Sequence, residues 1–377
     1  MIIDSHAYCF PPGDAKAGYA DARDHLRWMQ AEHAVHHQPA WRVRDRAPAS
    51  SEAIAPATPG DWSTLPDVDF RVDRTHGRVV WTIDGEDYTK QFYPPHLRNL
   101  EYTPGDLIAE MDYAGVDAAL LHTNPMLGRD GAFQAACVSA FPGRLYSMAP
   151  VDEWRIADEP DAVIKEIERA VRDHGLHAVK FNATLAYRGS GQPWSGGAYH
   201  PFWDAVAALN VPVFFTLGAG PVLGYHSDLV QGYLDELGVL MDWMDRYPDT
   251  VCSITHGFPW RMFIDGGDRL VLPEGLWRPF ENPSLSLEVC FPVRIGDLFD
   301  YPYREAWAAL EEMLERIGAS RLLWGTDMPF QNRFCTYRQS RDWIEKYAGF
   351  LSEADLAAIM GGTAARILGI ASTRKFT

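Results

Sequence analysis

A chain of 377 residues exceeds the usual size of one domain, yet a (β/α)8 barrel with insertions reaches this length around a single core. With 47% of its residues apolar and 12% aromatic, a large interior can be buried, which excludes global disorder. The formal charge of -17, unrelieved by any run of Lys or Arg, opposes a phosphate backbone, so no nucleic-acid partner is expected.

Five cysteines, Cys9, Cys137, Cys252, Cys290 and Cys335, are widely scattered and include no C-x-x-C pair. Their odd number and spacing argue against a disulfide framework and a structural zinc site, and fit a reducing cytoplasm. The opening MIIDSHAYCF lacks the basic, apolar and small-residue regions of a secretory signal. No apolar run approaches the roughly 20 residues that cross a bilayer, so a soluble cytoplasmic protein without a membrane partner is expected.

In chain order, short apolar runs bounded by turn residues predict strands over 2–5, 117–122, 145–151, 177–182, 211–216, 251–256, 285–290 and 321–326. Helical spacing between them predicts helices from Pro104 to Ala114, Gly131 to Ala140, Glu159 to His174, Pro201 to Leu209, Tyr233 to Tyr247 and Tyr303 to Ile317. Pro104 and Pro201 suit first helical turns, where a missing N–H costs little, and Gly175 and Gly318 suit helix ends. Two closing helices follow near 336–347 and 352–369. This alternation predicts an α/β fold, a (β/α)8 TIM barrel built from 1–10 and 104–377.

Residues 11–103 interrupt the alternation directly after the first strand. Within them RVVWTIDGEDYTKQF alternates as strands do around Asp84-Gly85, a two-residue hairpin turn, so an inserted lid or small β-containing subdomain is expected. An insertion at the C-terminal end of a barrel strand falls among the loops that shape the pocket. A packing or oligomer contact is the plainer alternative.

Three strands end in residues that carry chemistry: Asp4-Ser5-His6, Thr255-His256-Gly257 and Gly325-Thr326-Asp327. Any one such His is more often structural, but three at corresponding strand ends point to a site. The ends IIDSHAY, VPVFFTLGAG, SITHGF and RLLWGTDMPF resemble the amidohydrolase superfamily, particularly the branch of aminocarboxymuconate-semialdehyde decarboxylase and the resorcylate decarboxylases. YTPGDLIAEMDYAGVDAALL and MGGTAARILGI extend the resemblance over nearly the whole chain.

That resemblance implies a His-x-His pair on the first strand, a His on the fifth and on the sixth, and an Asp on the eighth. His6, His256 and Asp327 match, whereas Tyr8 and Thr216 replace two expected ligands. A phenol or a hydroxyl binds zinc, manganese or iron poorly at neutral pH, so the familiar four-ligand site is broken. His6, His256 and Asp327 could still hold a divalent metal with open positions. In the branch itself the sixth-strand His is more often an acid/base group, which would leave His6 and Asp327 as ligands. Pyrone dicarboxylate lactonases give the superfamily a metal-free precedent, in which Asp327 would activate water while His6 and His256 bind substrate. Both readings stay open on the sequence.

Around this trio, Lys180 on the fourth strand is expected to pair with a carboxylate of the substrate or of the protein. Glu288 on the seventh is either a structural or an active-site acid, because a carboxylate inside an apolar strand needs a partner. Arg294 and Arg333 are candidate anion clamps, and Trp260, Phe258 and Phe330 candidate walls of an aromatic-acid pocket. His200 and His226 could repair the ligand set or lie on the surface.

The function expected is a decarboxylase or hydrolase of a small aromatic or unsaturated carboxylic acid, with Asp327 as acid/base beside His6 and His256. A non-heme metal oxygenase using the same trio and an inactive ligand-binding barrel are the alternatives. Family resemblance also suggests a homodimer.

Overall fold

The eight barrel strands are numbered here in chain order: β1 Ile3–Ala7, β2 Ala118–Leu121, β3 Leu145–Ala149, β4 Ala178–Asn182, β5 Val213–Thr216, β6 Cys252–Ile254, β7 Leu285–Val289 and β8 Leu322–Trp324. In this computed structural model, which describes residues 1–58, 61–219, 228–266 and 269–371, they pair in that order and in parallel. A parallel bridge from Ala7 to Met328, with the Asp327 N–H donating to His6 O at 2.7 Å, brings the exit of β8 back to β1. The architecture is a (β/α)8 barrel. All five residues of β1 and of β7 are buried, as expected of strands covered on both faces.

Contacts divide the chain into two compact units. The larger comprises Met1–Ala7, Ile108–His122 and Gly131–Thr377, and holds the barrel. Its interior packs Ile3, Leu120, Met148, Phe214 and Leu323 against Ala364 and Ile367 of the C-terminal helices. The helix expected over 352–369 is instead three pieces, Glu353–Ala357, a π turn over Ala358–Gly362, and Thr363–Ile367. Gly361 breaks it by lying against the Met1 carbonyl, where any Cβ would collide and would also stand 3.0 Å from the Ile3 nitrogen.

The smaller unit comprises Tyr8–Leu107 and Thr123–Asp130. Its antiparallel sheet runs in the order Pro48–Ala49, Ala40–Arg42, Glu86–Lys90, Arg78–Ile83, Arg71–Asp73, over a core of Ala40, Ile54 and Trp81. The hairpin turns at Asp84 and Gly85, both left-handed at φ 51 and φ 78, the backbone that a two-residue turn of this type requires. A helix over Ala22–Val35, capped by the Asp21 side chain, lies outside every expected element. All five cysteines are buried, and no helix among the described residues is long and apolar enough to cross a membrane.

Candidate active site

His6, His256 and Asp327 come together at the C-terminal ends of β1, β6 and β8. His6 Nε2 is 3.3 Å and His256 Nε2 is 3.1 Å from the same atom, Asp327 Oδ1. The His6 side chain is fully buried, whereas His256 keeps 17% and Asp327 12% of theirs exposed. His256 and Asp327 both have left-handed backbones, at φ 63 and φ 64, a conformation that costs a side-chain-bearing residue roughly 1–3 kcal/mol and that clusters at functional sites. Two glycines make the arrangement possible. A Cβ on Gly257 would strike the Trp260 ring and stand 2.8 Å from Glu288 O, and one on Gly325 would stand 3.0 Å from the His6 Cβ.

Buried carboxylates hold the trio from behind. Asp4 Oδ1 accepts from the N–H groups of His6 at 3.0 Å and Thr326 at 3.1 Å. Its Oδ2 accepts from the Thr326 hydroxyl at 2.5 Å and from the Tyr337 hydroxyl at 2.7 Å, tying β1 to the exit of β8. Glu288 Oε2 lies 2.8 Å from His6 Nδ1 and accepts from the His256 N–H at 2.6 Å. Its Oε1 accepts from the Ser5 hydroxyl at 3.3 Å. Glu288, fully buried on β7, therefore orients the His6 imidazole and pins the His256 backbone; the sequence pattern left open whether this acid was structural or catalytic.

Proton placement follows from these partners. Burial lifts the Glu288 carboxyl to about 7, and the neighbouring His256 and its N–H oppose that rise. Three donors converging on Glu288 favour its carboxylate form, so His6 carries its proton on Nδ1 and turns a bare Nε2 toward Asp327. Burial pushes His6 down to about 3 and His256 down to about 4, leaving both neutral at pH 7. Burial alone would raise Asp327, but its hydrogen bond to His256 and the nearby His6 and Arg333 hold it below the usual carboxyl range. A bare imidazole nitrogen facing a carboxylate oxygen at 3.3 Å is repulsive unless positive charge lies between them. Two imidazole nitrogens and one carboxylate oxygen are a donor set that fits a divalent transition-metal ion.

A second group, His6, His122 and Glu288, is equally close-knit but is not a cage for a cation. His122 Nε2 lies 2.8 Å from the Ser5 carbonyl, which only accepts, so that nitrogen bears the proton and cannot offer a lone pair. The His122 ring stacks on His6 with centroids 3.5 Å apart. His122 is absent from the sequence-based candidates. Its only signal was its place at the end of the expected 117–122 strand.

The remaining candidates divide. Lys180, at the middle of β4, lies beside His122, and Thr216, partly exposed at the end of β5, shares a 2.7 Å hydrogen bond with Thr255. Trp260 is fully buried and braces the site through a 2.8 Å bond from Nε1 to His256 O; Phe258 and Phe330 are buried as well. Arg294 is half-buried in the short helix Phe291–Ile295. Arg333 is half-buried after β8, and its Nε donates to Phe330 O. Burial lowers its guanidinium to about 10 against the pull of Asp327 and Asp297. Tyr8 is buried at the start of the smaller unit. His200 Nε2 bonds Ser195 O at 3.1 Å, outside the cluster, and His226 falls outside the described residues.

A family model described as amidohydrolase matches residues 3–370, so the chain belongs to the amidohydrolase family. Among curated relatives, the gamma-resorcylate decarboxylase of Polaromonas sp. strain JS666 is 26% identical over 269 residues, which cover 64% of this chain and 75% of that one. Two solved structures share the fold. The dihydroxybenzoic acid decarboxylase of Polaromonas sp. JS666, with bound manganese and the inhibitor 2-nitroresorcinol, superposes with a TM-score of 0.53 at 22% identity, covering 74% of this chain and 91% of that one. The 5-carboxyvanillate decarboxylase of Sphingomonas paucimobilis gives 0.52 at 21%, covering 74% and 86%.

Proposed function

We propose that this amidohydrolase-family enzyme decarboxylates a small aromatic or unsaturated carboxylic acid. The observation that carries this reading is the convergence of two neutral imidazoles on Asp327 at the catalytic end of the barrel. The decarboxylase relatives support it, since a curated relative acts on gamma-resorcylate.

His6 Nε2 and Asp327 Oδ1 are the atoms that would hold a divalent ion, with His256 left to carry the proton. Such an ion supplies Lewis-acid polarisation of a bound carboxylate or phenol oxygen, and manganese, carried by the Polaromonas structure, is the first one to test. The chain's own groups handle the proton. In a decarboxylation the substrate carbon bearing the carboxylate is protonated, the C–C bond to that carboxylate breaks, and its electrons restore conjugation as CO2 leaves. His256 is the most exposed member of the trio and so the one that reaches substrate. It is neutral in the resting site, and an arriving anion offsets the burial that keeps it so; protonation of His256 is thereby tied to substrate entry. Asp327, 3.1 Å away, steadies the imidazolium; the proton that His256 gives up stays on the product carbon, and His256 is recharged with one proton from solvent for each CO2 released.

The test is product analysis on purified protein loaded with manganese, using a panel of hydroxybenzoates and lactones. CO2 release from at least one hydroxybenzoate supports the reading. Acid release from the lactones alone replaces it with the hydrolase reading, in which Asp327 activates water.

A further inference from the structure

Lys180 lies at the middle of β4 and is only 6% exposed. Its Nζ lies 3.2 Å from His122 Nδ1 and 3.2 Å from Thr255 Oγ1. The direction of both bonds is fixed from behind. His122 Nε2 must carry the ring proton because it faces the Ser5 carbonyl at 2.8 Å, which leaves Nδ1 bare. The single proton of the Thr255 hydroxyl is committed to Phe215 O at 3.1 Å or to Thr216 Oγ1 at 2.7 Å, so toward Lys180 it presents a lone pair. Lys180 donates in both contacts. An ammonium has three donors, and among the described residues the third has no acceptor.

Neither acceptor is charged, and the nearby acids are engaged elsewhere. Glu288 is bonded to His6, Ser5 and the His256 N–H, and Asp327 faces the two imidazoles. Glu153 Oε1 accepts from the Asn182 N–H at 2.6 Å, while its buried Oε2 has no hydrogen-bond partner among the described residues. Burial lifts the Glu153 carboxyl to about 8, so at pH 7 it is largely uncharged and gives the ammonium little counter-charge. A buried ammonium held only by neutral groups is costly, and proteins keep such costs where a ligand repays them.

We infer that Lys180 receives the carboxylate of the substrate, held with its third N–H open by the His122 and Thr255 contacts, so that the incoming anion completes an ion pair the protein leaves unmade. This rests on the reading of the site as one for a small carboxylic acid. It also decides between the two partners the sequence allowed for Lys180, a substrate carboxylate and a protein one.

Calorimetric binding of 2,6-dihydroxybenzoate, its neutral carboxamide and cis,cis-muconate to the wild type, Lys180→Met and Lys180→Arg tests the assignment. The expected result is that Lys180→Met weakens carboxylate binding about tenfold or more while carboxamide binding changes by less than about twofold, and that Lys180→Arg recovers part of the loss. Equal weakening of acid and amide, or none, overturns it. Should Lys180→Met not fold, the wild type alone still decides: binding the amide as tightly as the acid overturns the assignment. If only the muconate binds, with the same dependence on Lys180, the aromatic reading fails while the assignment stands. A wild type that binds neither carboxylate overturns the assignment.

Discussion

The two ends of the same eight strands are built on opposite principles. Toward the C-terminal helices, Ile3, Leu120, Phe214 and Leu323 fill the barrel with apolar side chains that need only fit. At the other end, His6, His122, Lys180, Glu288 and Asp327 are buried too, but each must be satisfied by a partner of the right polarity. One residue of spacing along β1, from Asp4 to His6 with Ser5 between, supplies a clamp that ties β1 to the exit of β8, a donor to Glu288 and an imidazole facing Asp327. The lower end contributes stability, and the upper end accepts strain and buried charge in exchange for chemistry.

Substitutions at the two ends should therefore fail differently. The largest effect is expected from Asp327→Asn, which removes the charge that both imidazoles face: CO2 release should fall by about 10³-fold or more while the melting temperature changes little. A variant that melts early instead would place Asp327 with the structural residues. Leu323→Ala, at the apolar end, should cost about 2–5 kcal/mol in denaturant unfolding and leave the turnover of the folded fraction near that of the wild type. Glu288→Gln should lower metal affinity and turnover together by about 10- to 100-fold, because it loosens His6 and the His256 backbone without touching substrate; loss of one without the other would contradict the orienting role.

The smallest effect is a pH dependence. Glu153 is raised from 4.5 to about 8 by burial, so between those values the unfolded chain has lost a proton that the folded chain keeps. Stability from this group therefore falls as pH rises through that window. Glu153→Gln should melt above the wild type at pH 8, and the two should converge toward pH 5. Parallel curves would show that the carboxyl does not titrate as its burial implies.

Much of this contrast was legible in the sequence. Each barrel strand lies within two residues of its expected bounds because parallel strands are short apolar runs between turn signals. His6, His256 and Asp327 stood out because they fall where such runs end. His122 did not, since a single His after AALL reads as core until Ser5 and Lys180, from distant parts of the chain, fix its tautomer. The helix over Ala22–Val35 was hidden by its polar, His-rich face, and the broken C-terminal helix by a backbone approach to Met1 that no local pattern encodes. Tyr8 and Thr216 show the same limit from the other side: the residue types weaken the familiar ligand set, but only the geometry shows that the remaining three donors still converge.

The most direct test of that convergence is elemental analysis of wild-type protein and Asp327→Asn, both purified without chelator and then equilibrated with manganese. The account predicts a stoichiometric divalent ion in the wild type and its loss in the variant. Equal metal content in the two, or none in an active wild type, would contradict it.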